Sequence, residues 1–133
     1  MNKKSFIKGV YFYGTFLDGL MGVLMVISIY TRTLIIPYSS TSNEYQFAMG
    51  WAASLMFGWT VLLFWGSFKP IARKSILLMT AFPVVSGLIL TEIMTDAMGL
   101  ANIWLFQSIA IMPVLLISYF LSTKIEQSNV QRE

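Results

Sequence analysis

The sequence contains no cysteine and no histidine, and only 11% of its 133 residues are charged. The absence of cysteine excludes disulfide bonds, thiol catalysis and thiolate metal sites. The absence of histidine removes the commonest metal ligand and the side chain that usually transfers protons near neutral pH. These absences argue against most classes of enzyme. They favour a protein without a metal ion, an organic cofactor or catalytic residues.

The chain is rich in apolar residues: 56% of its residues are hydrophobic, and its mean hydropathy is +0.70. A soluble domain carries roughly a quarter charged residues. Four hydrophobic segments each approach the roughly 20 residues that cross a bilayer as a helix. They cover residues 7–30, 45–66, 75–95 and 102–122. Because long runs without alternation favour helices over a barrel, we expect an all-α integral membrane protein, a single four-transmembrane-helix bundle with a polar tail at 123–133.

The basic residues predict the orientation of this bundle. All but one of them flank the segments on the same side, and Arg32 alone lies on the other. The residues on the shared side are Lys3, Lys4, Lys8, Lys69, Arg73, Lys74, Lys124 and Arg132. The positive-inside rule therefore predicts a multi-pass protein of the cell membrane with both termini in the cytoplasm. This asymmetry accounts for the pI near 9.3, so the expected partner is the lipid bilayer and not nucleic acid.

Asp18 is the ionisable residue that lies deepest in a hydrophobic segment. A rise of about 1.5 Å per residue places it near mid-membrane, where a charge costs about 2.5–3.5 kcal/mol on insertion scales. Gly14 and Gly22, one turn before and after it, form with it a narrow stripe that lets another helix approach. Two interpretations stay open. The carboxylate binds a proton or anchors a ligand beside Tyr11 and Thr15, or it is hydrogen-bonded to a neighbouring helix.

Glu92 and Asp96 are four residues apart, so they share one face of the third segment. Glu92 lies about 25 Å along that segment, and Asp96 lies at the membrane interface. Hard divalent cations prefer carboxylate oxygens, but two carboxylates are too few for a convincing site. We interpret the two residues as an acidic pair on the outer rim of the bundle, exposed to solvent.

The second segment carries a ladder of small residues. Gly50, Ser54 and Gly58 recur at four-residue steps, which is the pattern of close helix packing in membranes. Trp59 lies beside Gly58, at a depth greater than that expected of an interfacial tryptophan. It is interpreted either as the wall of a ligand cavity or as ordinary packing.

Prolines interrupt the third and fourth segments. Pro83 and Pro113 predict kinks because proline removes a backbone donor and clashes with the preceding turn. Serine and threonine side chains nearby can satisfy the carbonyls that are freed. Kinks at similar depth in adjacent helices can open a pocket between them, but they also occur in purely structural bundles. Gln107, in the outer half of the fourth segment, adds a polar group that is a candidate to face this pocket.

One stretch of the sequence resembles a known group of proteins. Between Gly50 and Lys74 it reads GW…SLMFGWT…W…KP…RK. A similar stretch occurs in small prokaryotic four-helix membrane proteins that are broadly similar to the DoxX-like group. The resemblance covers mainly the second and third segments. It implies the four-helix fold and carries no catalytic residue.

The leading functional hypothesis is a protein that binds an apolar or amphipathic small molecule, or a lipid, within its helical bundle. Asp18 is the expected polar anchor, with Tyr11, Thr15, Trp59 and Gln107 around it, since such sites are apolar with a few convergent polar groups. The first alternative is a structural accessory subunit of a larger membrane complex, or a homodimer. The second is an oligomeric channel or proton-coupled transporter that uses Asp18. It requires at least a dimer, because four helices are too few for a lone transporter.

Overall fold

The computed structural model describes residues 2–31, 42–95 and 103–131, and within these ranges the regular structure is entirely helical. The four helices are Lys3–Thr31 (α1), Asn43–Phe68 (α2), Ser75–Thr95 (α3) and Ile103–Val130 (α4). Each is long and apolar enough to cross a membrane. The prediction of an all-α fold with four candidate membrane-spanning helices is therefore confirmed for the part of the chain that is described.

The largest difference from the predicted bounds lies at the end of α4. The sequence predicted a polar tail at 123–133, but the helix continues to Val130. The stretch that follows Ser122 contains neither glycine nor proline, so nothing in it stops a helix. Glu126, on the added turns, forms an ion pair with Lys74 at the start of α3. Ser122 itself is fully buried, so the end of α4 belongs to the packed bundle.

Local signals set the two ends of α2. The side chain of Ser42 accepts a hydrogen bond from the backbone N–H of Tyr45 at 3.2 Å, as a helix N-cap does. At the other end the backbone N–H of Lys69 donates to the Gly66 carbonyl at 3.2 Å. Pro70 follows at once and has no N–H with which to continue the helix. The connection to α3 is therefore a short, tight turn.

Helix α3 changes its winding at Pro83. It is an α-helix over Ser75–Met79, a π-helix over Thr80–Val85 and an α-helix again over Ser86–Thr95. Within the π-helix the N–H of Ser86 donates to the Ala81 carbonyl, five residues earlier. Proline cannot supply the regular bond, so the wide turn accommodates it. The expected disturbance at Pro83 thus takes the form of a π-helical segment, whereas α4 is α-helical on both sides of Pro113.

The helices pack as two antiparallel hairpins. Helix α1 packs along α2, and α3 packs along α4; α1 also contacts α4, while α2 contacts α3 chiefly at Ser75–Met79. One end of the bundle holds the start of α1, the end of α2, the start of α3 and the end of α4. We call it the basic end, and the opposite one the far end. The basic end carries every basic residue of the described part: Lys3, Lys4, Lys8, Lys69, Arg73, Lys74 and Lys124.

The hydrophobic core lies in the half of the bundle nearer the basic end. Its buried members are Ile7, Val10, Tyr11, Leu63, Ile76, Leu77, Ala81, Val85 and Leu115. All the members from α3 precede Ser86, and no residue of Ser86–Thr95 is buried. The two hairpins are therefore joined mainly at the basic end.

Three glycines of α1 set its distance from α2. A methyl group added to any of them would lie 3.1–3.3 Å from a side-chain carbon of α2, which is closer than ordinary van der Waals contact. The pairs are Gly14 with Leu63, Gly19 with Thr60, and Gly22 with Phe57. The narrow stripe described from the sequence around Asp18 therefore faces α2, and Gly19 is a third member of it.

Most of the small-residue ladder of α2 lies on the outer surface of the bundle. Ser54 and Gly58 are exposed, and a methyl group on Gly58 would have no atom within 4 Å. A methyl group on Gly50 would reach only Ile29, at 3.8 Å. Ser54 and Gly58 are therefore on the outer surface of the bundle, and only the half-buried Gly50 lies near α1.

Candidate functional site

Asp18 lies half-buried near the middle of α1, two turns beyond the buried Tyr11 on the same helix face. Its carboxylate forms no hydrogen bond or ion pair within the described ranges. Two hydroxyls lie on neighbouring positions, but each donates at 2.8 Å to a carbonyl of its own helix: Thr15 to Tyr11, and Thr60 to Met56. The described part of the chain therefore supplies no donor for this carboxylate.

Tyr11 and Trp59, both predicted to line a ligand site, have hydrogen-bond partners inside the fold. The Tyr11 hydroxyl donates to the Arg73 carbonyl at 2.8 Å. The Trp59 indole N–H donates to the Thr80 hydroxyl at 3.1 Å. The first bond ties α1 to the turn before α3, and the second ties α2 to the π-helical segment. These side chains thus join the two hairpins.

The turn between α2 and α3 is held by further contacts at the basic end. The Arg73 guanidinium lies over the Trp65 ring, 3.4 Å from its centroid, and donates to the Trp65 carbonyl. The ion pair of Lys74 with Glu126 fixes the same turn to α4. The hydrogen bond from Tyr11 to the Arg73 carbonyl connects α1 to this turn as well. All four helices are therefore joined around it.

The acidic pair predicted on the outer rim is described only in part. Glu92 is half-buried in the last turns of α3, and Asp96 lies outside the described residues. Within the described ranges, acidic residues do not gather in a group of three or more that could hold a metal ion.

A groove of about 420 Å³ runs between the first half of α1 and the first half of α4. The residues that line it are Ser5, Phe6, Gly9, Val10, Tyr13, Gln107, Ala110, Ile111 and Val114. Most of this lining is apolar, and polar side chains are contributed by Ser5, Tyr13 and Gln107. A methyl group on Gly9 would meet no atom within 4 Å, so the groove is open above this residue.

The two walls of the groove come from different parts of their helices. The lining of α1 lies near the basic end, because α1 begins there, whereas Gln107 is four residues from the start of α4 at the far end. Eight residues separate Ser5 from Tyr13, which is about 12 Å along the helix. The groove is therefore not confined to the basic end.

Of the five residues predicted to bind a ligand, Gln107 is the one that lines this groove; Asp18 and the others do not. Sequence reasoning missed Ser5, Gly9 and Tyr13. A signal was present, because the three recur at four-residue steps and so share a face of α1. Their importance depends on the pairing of α1 with α4, whose positions in the sequence are about a hundred residues apart.

The fold and the groove indicate a class: a small protein whose described residues form four candidate membrane-spanning helices, with an opening between the first and the last of them. Comparisons of the chain with protein-family models, with curated proteins and with solved structures find no match. The resemblance to DoxX-like proteins therefore stays a prediction.

Proposed function

We propose that this protein resides in the cell membrane, with both termini in the cytoplasm, and binds an amphipathic, lipid-like molecule in the groove between α1 and α4. The observation that carries the proposal is the groove itself. Its volume of about 420 Å³ falls within the roughly 300–1,000 Å³ of small-molecule sites, and its lining is apolar with a few polar groups, as in such sites. The collection of basic residues at one end supports the orientation.

The lining indicates what kind of molecule fits. Phe6, Val10 and Ile111 present apolar walls suited to a hydrocarbon chain, and Gly9 leaves room for that chain to lie against the backbone of α1. Gln107 and Tyr13 add an amide and a hydroxyl to this lining. An amphipathic molecule can satisfy both kinds of surface.

Blocking the groove tests the proposal. Gly9→Leu places a side chain in the open space above Gly9, where its first atom has no neighbour within 4 Å, so the helix is not strained. Gly58→Leu is the matched control, because Gly58 also lies within a helix, is exposed and has no atom within 4 Å of an added methyl group. Each variant is reconstituted in nanodiscs with a photoactivatable fatty-acyl probe, and labelled peptides are mapped by mass spectrometry.

The expected result is labelling of the peptides that contain residues 5–13 and 107–114 in the parent protein and in Gly58→Leu, with most of it lost in Gly9→Leu. Labelling spread evenly over all outward-facing helix surfaces would contradict the proposal, and so would labelling that Gly9→Leu leaves unchanged.

A second candidate function is that of a subunit in a larger membrane assembly. The exposed ladder of α2 favours it, since Ser54 and Gly58 would let a helix of another chain approach closely. Crosslinking of the protein in native membranes, before detergent is added, tests this candidate. A crosslink from α2 to another chain that Gly58→Leu removes supports it, and a chain that crosslinks to nothing through α2 excludes it.

A further inference from the structure

We infer that an anionic phospholipid binds on the outer seam between α1 and α2 at the basic end. Its phosphate lies between Lys8 and Lys69, and one of its acyl chains lies against a row of phenylalanine rings. The seam does not include α4, so this site is distinct from the groove. The inference rests on the proposed function in one respect, which is that the protein resides in a membrane with its basic end among the headgroups.

The row of rings crosses from one helix to the other. Phe12 of α1 meets Phe64 of α2 edge to face, with 6.4 Å between the ring centroids, and Phe64 meets Phe68 in the same way at 5.0 Å. All three side chains are exposed. Phe68 is the last residue of α2, and Phe64 lies one turn deeper. The row therefore begins at the end of the bundle and continues inward, as an acyl chain does below its headgroup.

A lysine lies at each end of this row. The Lys8 ammonium is 5.7 Å from the centroid of the Phe12 ring, which is within cation–π distance. Lys69 directly follows Phe68, and both lysines are exposed. The rings and the two cations thus form one continuous surface, apolar in its middle and positively charged at its edges.

The packing of the helices places the two lysines at about the same height. The Tyr11 ring packs against Gly66, and each lysine is three residues further toward the basic end on its own helix. Helices in contact have axes about 8–10 Å apart. Because lysine side chains are long and keep their charged ends in the polar region, Lys8 and Lys69 can reach one phosphate between them.

The neighbouring cations of the turn after α2 are already engaged. The Arg73 guanidinium stacks on a tryptophan ring, and Lys74 is paired with Glu126. Lys8 and Lys69 form no ion pair with a described residue. A lysine over an aromatic ring still carries three N–H donors, so Lys8 is able to bind a phosphate oxygen. A headgroup with net negative charge complements this pair, whereas a zwitterionic headgroup offers it much less attraction.

The test compares two lipids that differ in headgroup charge. Nanodiscs of phosphatidylcholine contain a small fraction of a photoactivatable phosphatidylglycerol or of a photoactivatable phosphatidylcholine with the same chains. The test variant is Lys8→Gln with Lys69→Gln. The matched control is Lys3→Gln with Lys124→Gln, which removes two exposed lysines from the same end but not from the seam. The readout is labelling of the α2 peptide that contains residues 61–68, a stretch that contributes nothing to the groove lining.

The expected result is a preference for phosphatidylglycerol at this peptide that falls by about fivefold for each of the two lysines removed. The control keeps the preference, and so does Lys8→Arg with Lys69→Arg, because arginine retains both charges. Equal labelling by the two lipids overturns the inference, as does a fall of the same size in the control. Loss of the labelling on addition of glycerol 3-phosphate also overturns it, because the site would then take a soluble phosphate.

The proposed function and this inference fail separately. Gly9→Leu should remove labelling of the peptide that contains residues 107–114 and leave labelling of residues 61–68 unchanged. If it changes neither while phosphatidylglycerol is still preferred at residues 61–68, the groove fails as a binding site and the seam stands. If the two lipids label residues 61–68 equally while Gly9→Leu removes the label from residues 107–114, the groove stands and the seam is wrong.

Discussion

Replacement of Gly66 by alanine should destabilise the bundle, although alanine is the better helix former. A methyl group at this position would overlap Cε1 of Tyr11, and it would lie 2.9 Å from Cδ1 of Tyr11 and 3.1 Å from Cδ1 of Ile76. Carbon atoms pack best at about 3.5–4.0 Å. The ring cannot move away easily, because Tyr11 is fully buried and its hydroxyl is bonded to the Arg73 carbonyl.

The size of this loss of stability follows from two destabilising effects and one stabilising effect. Overpacking of a well-filled core costs about 1–3 kcal/mol. A shift of the Tyr11 ring that breaks its hydrogen bond adds about 0.5–1.5 kcal/mol. The higher helix propensity of alanine returns up to about 1 kcal/mol. Taken together, these effects lead us to expect that Gly66→Ala loses about 0.5–4.5 kcal/mol of unfolding free energy.

The matched control is Gly58→Ala, where a methyl group meets no atom within 4 Å. Only the propensity effect then applies, and we expect a gain of up to about 1 kcal/mol. Unfolding of both variants in mixed micelles, followed by circular dichroism as the fraction of denaturing detergent rises, gives the two values. The reasoning is refuted if Gly66→Ala is as stable as Gly58→Ala. A second check is the Tyr11→Leu background, in which the cost of Gly66→Ala should shrink because the ring is absent.

The direction of the change in unfolding free energy can be predicted for two further substitutions. Thr80→Val keeps the shape of the side chain but removes the acceptor of the Trp59 indole N–H, so it should cost about 1–3 kcal/mol in the same unfolding assay. The cost should nearly vanish in a Trp59→Phe background. Asp18→Leu should stabilise the bundle, by at most the roughly 2.5–3.5 kcal/mol that a central carboxylate costs on insertion, because Asp18 has no partner in the described ranges. A loss of stability would show that Asp18 has a partner that holds it.

The number and approximate bounds of the helices could be predicted from the sequence, because hydrophobic length alone decides which segments can cross a bilayer. The end of α4 could not. Its last turns are polar and look like a solvated tail, yet they are held by the contact of Glu126 with Lys74, which are 52 residues apart. A pairing over that distance leaves no local pattern. The close packing of Gly66 could not be predicted for the same reason, because its neighbour Tyr11 lies on a different helix.

Predicting which polar residues line an opening was harder than predicting the helices. Tyr11 and Trp59 were sensible candidates, because buried polar groups in a bundle need partners. A sequence does not reveal whether that partner is a ligand or the protein, and here Arg73 and Thr80 supply it. Gln107, an amide in an apolar segment, does line the groove, and its role in binding a ligand stays a prediction.

The stability of the basic end and the binding of a lipid should be coupled, because the two share residues. Val10 belongs to the hydrophobic core and also lines the groove, and Leu115 of the core follows Val114 of the lining. A ligand that contacts α1 and α4 together therefore binds only while the core holds those helices in place. By mass action such a ligand raises the unfolding free energy, by about 2.7 kcal/mol at a hundredfold excess over its dissociation constant. Gly66→Ala, which disturbs the core beside Tyr11 without touching the groove, should consequently weaken lipid binding as well as stability.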